Sequence, residues 1–257
     1  MPHSHPLALI TGTSSGIGEA LARELLRRGW QVVGAARRAP SIDDPGYTHL
    51  HADLEDLAAL PALLDAQVRP GLHEPSVNRV ALVNNAAMMG LLGPVAVLDP
   101  LVMLRVYAVN TGAPTLLMGW LLRNSPAHIP VRIVNVSSGV ATAAYPGTGA
   151  YGNTKAALRN VGMNLAAELD ADAPRGSAAR DATILSYEPG AVDTPMQTAV
   201  RKSPVELLPI VGFFQQLAAE GHLAPPALPA GEIADYLEAD GHPRWLERRL
   251  GAPPATA

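Results

Sequence analysis

Short, largely apolar runs recur along the chain at residues 7–10, 31–36, 48–51, 80–83, 131–136 and 182–187. Runs of this length with little polar alternation predict strands buried on both faces, as in a parallel sheet. Between them, apolar residues at helical spacing predict helices over 19–28, 57–68, 100–110, 113–124 and 150–170. Strand and helix in alternation imply an α/β fold, a Rossmann-type doubly wound parallel sheet with helices on both faces. No repeat or linker interrupts the pattern, so residues 1–257 are expected to form a single domain. In the helix over 113–124, Leu116, Leu117, Met118, Trp120, Leu121 and Leu122 are apolar around most of the circumference, and the helix from 156 to 169 is similar. A helix lying on one sheet face needs less, so these two are expected to meet a second subunit in a homodimer or homotetramer. Residues 195–230 hold Phe213, Phe214 and many prolines and read as a helical excursion over the site. From Arg244 the chain is charged and then rich in proline and alanine, which predicts a frayed tail from about residue 251 and leaves no apolar run for a further strand.

Composition narrows the class. A net charge of −4, with paired arginines only at 27–28, 37–38 and 248–249, gives no footprint for nucleic acid. The chain has no cysteine, hence no disulfide and no thiolate metal site. His49 and His51 share one strand face without a third ligand in sight, so they read as surface histidines and no metal is expected. The apolar run at 7–10 is too short for a signal peptide, and the stretch 113–122 stops at Arg123, short of a membrane span. A cytoplasmic protein is the expectation.

The residues with chemical potential gather where strands should end. After the first strand comes Thr11-Gly12-Thr13-Ser14-Ser15-Gly16-Ile17-Gly18 and then a helix. Glycines let the backbone approach a pyrophosphate, and the helix that follows offers free N–H groups and the positive end of its dipole. The second strand ends in Arg37-Arg38, where a carboxylate would accept from a ribose 2′-hydroxyl and an arginine suits a 2′-phosphate. NADPH is therefore expected over NADH. The fourth ends in Asn84-Asn85-Ala86-Ala87, amides that can tie neighbouring strands and small side chains that let a ring come close. Ser137-Ser138 closes the fifth. On the helix over 150–170, Tyr151 and Lys155 are an i,i+4 pair on one face, so the lysine could lower the pKa of the phenol. Ser138 could hydrogen-bond the carbonyl or alcohol oxygen whose proton Tyr151 gives or takes.

Taken in order, these motifs resemble the short-chain dehydrogenases/reductases over nearly the whole chain to about Gln197. The resemblance rests on the Thr11–Gly18 turn, on Asn84-Asn85-Ala86-Ala87 with alanine in place of the last glycine, on Asn110, Ser138 and Tyr151-x-x-x-Lys155, and on Pro189-Gly190. It implies Tyr151 as general acid/base, Ser138 as the group orienting the substrate oxygen, and Lys155 as both partner of the phenol and holder of the nicotinamide ribose. Asn110 would anchor a water relaying protons to Lys155. NADP(H) would lie on Gly12, Ser14, Ser15, Gly16, Ile17 and Gly18, on Arg37 and Arg38, on Asp53 and Leu54 at the adenine, and on Asn85, Ala86 and Ala87. Pro189, Gly190, Val192 and Thr194 would surround the nicotinamide amide. The small-molecule carbonyl would meet Ser138, Tyr145, Tyr151 and Met196. Within the family the pattern is most similar to sepiapterin reductase and bacterial carbonyl reductases, through Val136-Ser137-Ser138, the stretch 189–197 and Glu220-Gly221-His222-Leu223. The implied activity is NADPH-dependent reduction of a ketone or diketone. The alternative is a catalytically silent NADP-binding sensor or scaffold.

Overall fold

The structure, a computed structural model, describes residues 4–90, 92–171 and 180–252. Its seven strands are β1 (His5–Thr11), β2 (Gln31–Ala36), β3 (Tyr47–His51), β4 (Val77–Asn84), β5 (Val131–Val136), β6 (Ala182–Glu188) and β7 (Trp245–Arg249). They form one sheet in the order β3-β2-β1-β4-β5-β6-β7, every neighbouring pair parallel. The chain runs outward from β1 to β3 and then crosses to the other side of β1, so the order reverses between β1 and β4. Ligand crevices form at such a reversal, outside the carboxyl ends of the strands.

Nine α-helical segments accompany the sheet among the described residues: α1 (Gly16–Arg27), α2 (Leu60–Gln67), α3 (Arg69–Leu72), α4 (Pro100–Tyr107), α5 (Ala113–Asn124), α6 (Gly149–Ala171), α7 (Pro195–Arg201), α8 (Val211–Ala219) and α9 (Ala227–Glu238). One face of the sheet is covered by Leu60 and Leu64 of α2, Leu117, Trp120 and Leu121 of α5, and Leu158 and Ala166 of α6. The other receives Leu21, Ala22 and Leu25 of α1 and Ala230, Ile233, Ala234 and Leu237 of α9. The five inner strands are buried on both sides, which is why their sequence shows apolar runs rather than alternation. A charge is nevertheless carried into β5. Arg132, 1% exposed along its side chain, is held by Asp181 at 2.7 Å and Asp240 at 2.9 Å.

Four expectations change. The two helices over 100–110 and 113–124 are one continuous 25-residue helix, Pro100–Asn124, joined by a π turn at Ala108–Gly112. Gly112 and Pro114 suggest a break, yet the wider turn carries the helix past the donor that Pro114 lacks. The joined helix is apolar enough by length and composition to cross a membrane, but Val106, Ala113, Leu117, Met118, Trp120 and Leu121 are buried within the fold.

Trp245–Arg249 is a strand, where no apolar run marked a further one. As an edge strand it pairs only with β6 and needs no apolar run. Trp245 packs where a Cβ on Gly162 would stand, and Glu247 accepts from Arg159 at 2.8 Å. Residues 227–230, placed in the excursion, begin α9, whose Asp235 and Glu238 each lie 2.8 Å from Arg28 at the end of α1. The apolar circumference of α5 is largely consumed within the chain, where the Trp120 indole also donates to Asp65 at 2.8 Å. Leu116, Leu122 and, on α6, Met163, Leu165 and Leu169 remain partly exposed. Most of the loop expected over 170–181, and the end of the tail after residue 252, lie outside the described residues.

Candidate active site

A cleft of about 1030 Å³ runs along the carboxyl ends of the strands and into α7 and α8. Its floor near β1 is the glycine turn. Gly12 and Gly16 have φ of +77° and +62°, left-handed values that favour glycine. A Cβ on Gly12 would stand 2.9 Å from the Asn85 amide and from Cα of Ala86; one on Gly18 would strike the Gly12 carbonyl. The turn and the end of β4 are thus in contact. Asn85 seals it, its amide donating to the carbonyls of Thr11 at 2.9 Å and Gly12 at 3.2 Å. The Thr11 hydroxyl in turn accepts from the backbone N–H of Asn85 and Ala86, each at 3.0 Å. Ser15 stands at the N-cap of α1 with no side-chain cap bond, so the helix start faces the cleft with unspent N–H groups. Ser14, Ser15, Gly16 and Ile17 line it. This is a cradle that fits a diphosphate.

At the end of β2, Arg37 and Arg38 are exposed and line the cleft beside Asp53, Leu54 and Glu55 from the end of β3. Arg105 of α4 grips Glu55 with two bonds of 2.6 and 3.0 Å, which holds that carboxyl below its usual range. Arg37 lies 3.8 Å from the same carboxylate and is 63% exposed, free to turn toward the cleft.

The reacting groups come from β5 and α6. Ser138 follows β5 in an extended conformation, and Lys155, buried at 2% exposure, donates from Nζ to the Val136 carbonyl at 2.7 Å. Its ammonium sits 5.7 Å from the Tyr151 ring centroid. The expected lowering of the Tyr151 pKa is not what this geometry yields. Burial pushes the phenol up to about 12, opposed by hydrogen bonding with Ser138, and burial likewise lowers Lys155 to about 8. Desolvation outweighs the neighbouring cation because the ammonium is turned to Val136 rather than to the phenolic oxygen. The phenol is therefore protonated at neutral pH, the form that can donate.

Asn110 is buried in the π turn and its side chain is spent. The amide donates to Met88 O at 2.7 Å and to Thr154 Oγ1 at 3.0 Å, and its oxygen accepts from Met88 N at 2.7 Å. It thus fixes the α6 residue next to Lys155. Asn84 plays the strand-tying part, donating to Asn135 of β5 at 2.8 Å. Pro189, Gly190, Val192, Thr194 and Met196 line the cleft after β6, with Ala86 and Ala87 opposite. The Thr194 hydroxyl caps α7 through Gln197 N at 3.2 Å, and its methyl lies 3.1 Å from where a Cβ on Gly16 would be. Tyr145, 42% exposed, stands on the loop between this cleft and a neighbouring cavity of about 770 Å³. All the expected site residues except Asn110 border the cleft or, for Gly18, the turn beneath it. Missing from the expectation are Glu55, Glu188 and Arg249, which also line it. All three are charged residues at or just beyond strand ends, the position that singled out Arg37.

A doubly wound sheet with a phosphate-type cradle at β1 and a Ser–Tyr–Lys group at β5 and α6 defines a dinucleotide-dependent oxidoreductase class. The family model for short chain dehydrogenase matches residues 6–204, and the chain belongs to the short-chain dehydrogenase/reductase family. Among its relatives, a benzil reductase ((S)-benzoin forming) of Bacillus cereus is 28% identical over 246 residues, 92% of this chain and 95% of that one. A sepiapterin reductase of Meriones unguiculatus is 29% identical over 252 residues, 91% and 92% of the two chains. The solved structure of a short-chain dehydrogenase/reductase from Saccharomyces cerevisiae shares the fold with a TM-score of 0.79 at 23% identity, covering 96% of this chain and 97% of that one.

Proposed function

We propose that the protein is an NADPH-dependent carbonyl reductase that converts a ketone or diketone to an alcohol, with Tyr151 as the proton donor. The observation that carries this reading is a protonated, half-buried phenol that lines the cleft beside Ser138. The glycine turn, whose crowding tolerates no Cβ at Gly12 or Gly18, fits a pyrophosphate, and the α1 N-terminus with Ser14 and Ser15 supplies the donors. Bound there, a reduced nicotinamide supplies a hydride.

The chain's own residues do the rest. Ser138 fixes the carbonyl oxygen and Tyr151 gives it a proton as negative charge develops. Lys155 holds positive charge beside the phenol, steadying the phenolate left behind. Asn110 orients the start of α6 through Thr154, and in this reading it anchors the water that relays protons to Lys155. Asp53 and Leu54 serve the adenine, and Pro189 to Thr194 the carboxamide. Tyr145 and Met196 border the substrate. Following NADPH absorbance against a panel of diketones, quinones, pterins and steroids tests the reading. Tight NADPH binding with no turnover of any of them would favour the silent sensor instead.

Preference for NADPH rests on Arg37, the guanidinium not committed to Glu55. A charge-assisted bond to a 2′-phosphate is typically worth about 1.5–3 kcal/mol. Arg37→Ala is expected to raise the KM for NADPH at least about tenfold and to leave that for NADH nearly unchanged. Equal losses with both cofactors would assign Arg37 to the adenine or to the fold.

The reading includes a cytoplasmic homodimer or homotetramer built on α5 and α6, whose Leu116, Leu122, Met163, Leu165 and Leu169 keep apolar surface at the exterior. Light scattering at micromolar concentration should give a multiple of 26.9 kDa. A monomer would refute it.

A further inference from the structure

Glu188 ends β6 immediately before Pro189, and its side chain is 26% exposed. Successive side chains on a strand point to opposite faces. Tyr187 points to the α9 face, where its hydroxyl donates to Glu232 at 3.0 Å, so Glu188 points to the α6 face, where the reacting groups stand. Its Oε1 lies 3.0 Å from where a Cβ on Gly139 would be, one residue beyond Ser138. A side chain at 139 would displace it.

What distinguishes this carboxylate is how loosely the fold holds it. Among the described residues no N–H or O–H group donates a hydrogen bond to either oxygen; the nearest cation is Nε of Arg249, 3.5 Å away on a side chain 72% exposed. Glu55 and Glu247, by contrast, are each gripped bidentately by an arginine. A carboxylate three-quarters covered and held only by one long ion pair gains from any donor that an occupant of the cleft brings. It lines a cleft whose walls combine apolar residues such as Val140, Phe213 and Leu250 with Ser138 and Tyr151, the groups assigned to the carbonyl oxygen, and with Arg249.

We infer that Glu188 is a substrate-recognition carboxylate and that the carbonyl compounds reduced here carry an ammonium or comparable N–H cation close to the carbonyl, as in an amino ketone. The inference rests on the reductase reading, because the carbonyl is placed at Ser138 and Tyr151. With the oxygen there, a cationic substituent on the Gly139 side lies against Glu188 and adds to its one long pair with Arg249, while a neutral group of the same shape brings it no donor, and a carboxylate on the substrate is repelled.

The test uses α-aminoacetophenone as its ammonium ion and propiophenone, which puts a methyl where the ammonium stands. In NADPH-supported reduction the wild-type protein is expected to favour the ammonium ketone in kcat/KM by about tenfold or more. Glu188→Gln, which keeps the shape and removes the charge, should bring the ratio to within about twofold. Calorimetric binding of the same two ketones to the NADPH-loaded protein, which needs no turnover, should show the same preference and the same loss. A wild-type preference for propiophenone, or a ratio unmoved by Glu188→Gln in both measurements, overturns the role of Glu188. Preferential binding of the ammonium ketone, lost in the variant, with neither ketone reduced would keep Glu188 as a recognition group and sink the reductase reading instead. A melting temperature within a few degrees of wild type shows that Glu188→Gln folds.

Discussion

Tyr151→Phe is expected to lower kcat by about 10²–10⁴-fold, the usual contribution of a positioned general acid, while NADPH still binds with nearly wild-type affinity. Only one oxygen is removed. The ring remains beside Lys155 and the neighbouring backbone is unchanged, because Thr154 anchors this turn through its own hydroxyl, donating to the Tyr151 carbonyl at 2.7 Å and accepting from Asn110 at 3.0 Å. Loss of a hydroxyl that faces the cleft beside Ser138 should cost little stability. The pH profile separates the groups. Tyr151 stays protonated until about 12, so it does not limit reduction in the ordinary range, whereas Lys155 discharges near 8. Reduction is therefore expected to fall as pH rises through about 8, if the ammonium supports proton release from the phenol. A Tyr151→Phe variant retaining more than about a tenth of the wild-type kcat would remove the phenol from the reaction.

Why the strands were legible and the last one was not has a physical answer. β1, β2, β4, β5 and β6 are covered by helices on both faces, so burial wrote itself into their composition as apolar runs. β7 has one neighbour and spends Glu247 and Arg249 on ion pairs with Arg159 and Glu188, so its residues carry no such signature. The helix at 100–124 misled for the opposite reason: glycine and proline mark a break in most contexts, and only the π turn that presents Asn110 accommodates them.

Site positions were easier than site electrostatics. Strand ends, glycines and an i,i+4 spacing are sequence properties, and they located the cleft from Gly12 to Thr194. The direction of the Tyr151 shift was not, because it depends on where the Lys155 ammonium is aimed, and a spacing of four says only that the two residues share a helix face. Glu188 was overlooked because an acid beside a proline at the end of a strand looks like an ordinary solvated turn. The carboxylate becomes informative only once its hydrogen-bond partners are counted.

Lys155→Met should abolish most activity and yet make the protein without cofactor more stable at neutral pH. The lysine is 2% exposed and its ammonium has one hydrogen-bond acceptor, the Val136 carbonyl. Burial lowers its pKa from 10.5 to about 8, so at pH 7 the folded state carries a charge it holds reluctantly. A shift of that size corresponds to a cost on the order of 3 kcal/mol at full weight. Methionine fills nearly the same space without the charge. It leaves the Val136 carbonyl short of a donor, a loss of roughly 1–3 kcal/mol that cancels part of the gain. The net is expected to favour the variant by about 1 kcal/mol, or roughly 2–4 °C in Tm.

The sign reverses with pH. Between about 8 and 10.5 the unfolded chain binds more protons at Lys155 than the native one, so wild-type stability rises with pH across that window and the advantage of the variant disappears. Tyr151 works the other way, its native pKa of about 12 above the ordinary 10, so both proteins lose stability from about 10 upward. Thermal melts of the two proteins without cofactor at pH 7, 8, 9 and 10 read the difference directly. In kinetics the same variant should lose kcat on the order of 10²-fold and bind NADPH more weakly, since the ammonium serves both the phenol and the ribose in the proposed site. A variant that melts below wild type at pH 7, with a gap that does not change as pH rises, would mean that the lysine's hydrogen bond outweighs its desolvation and that the charge is held without strain on the fold.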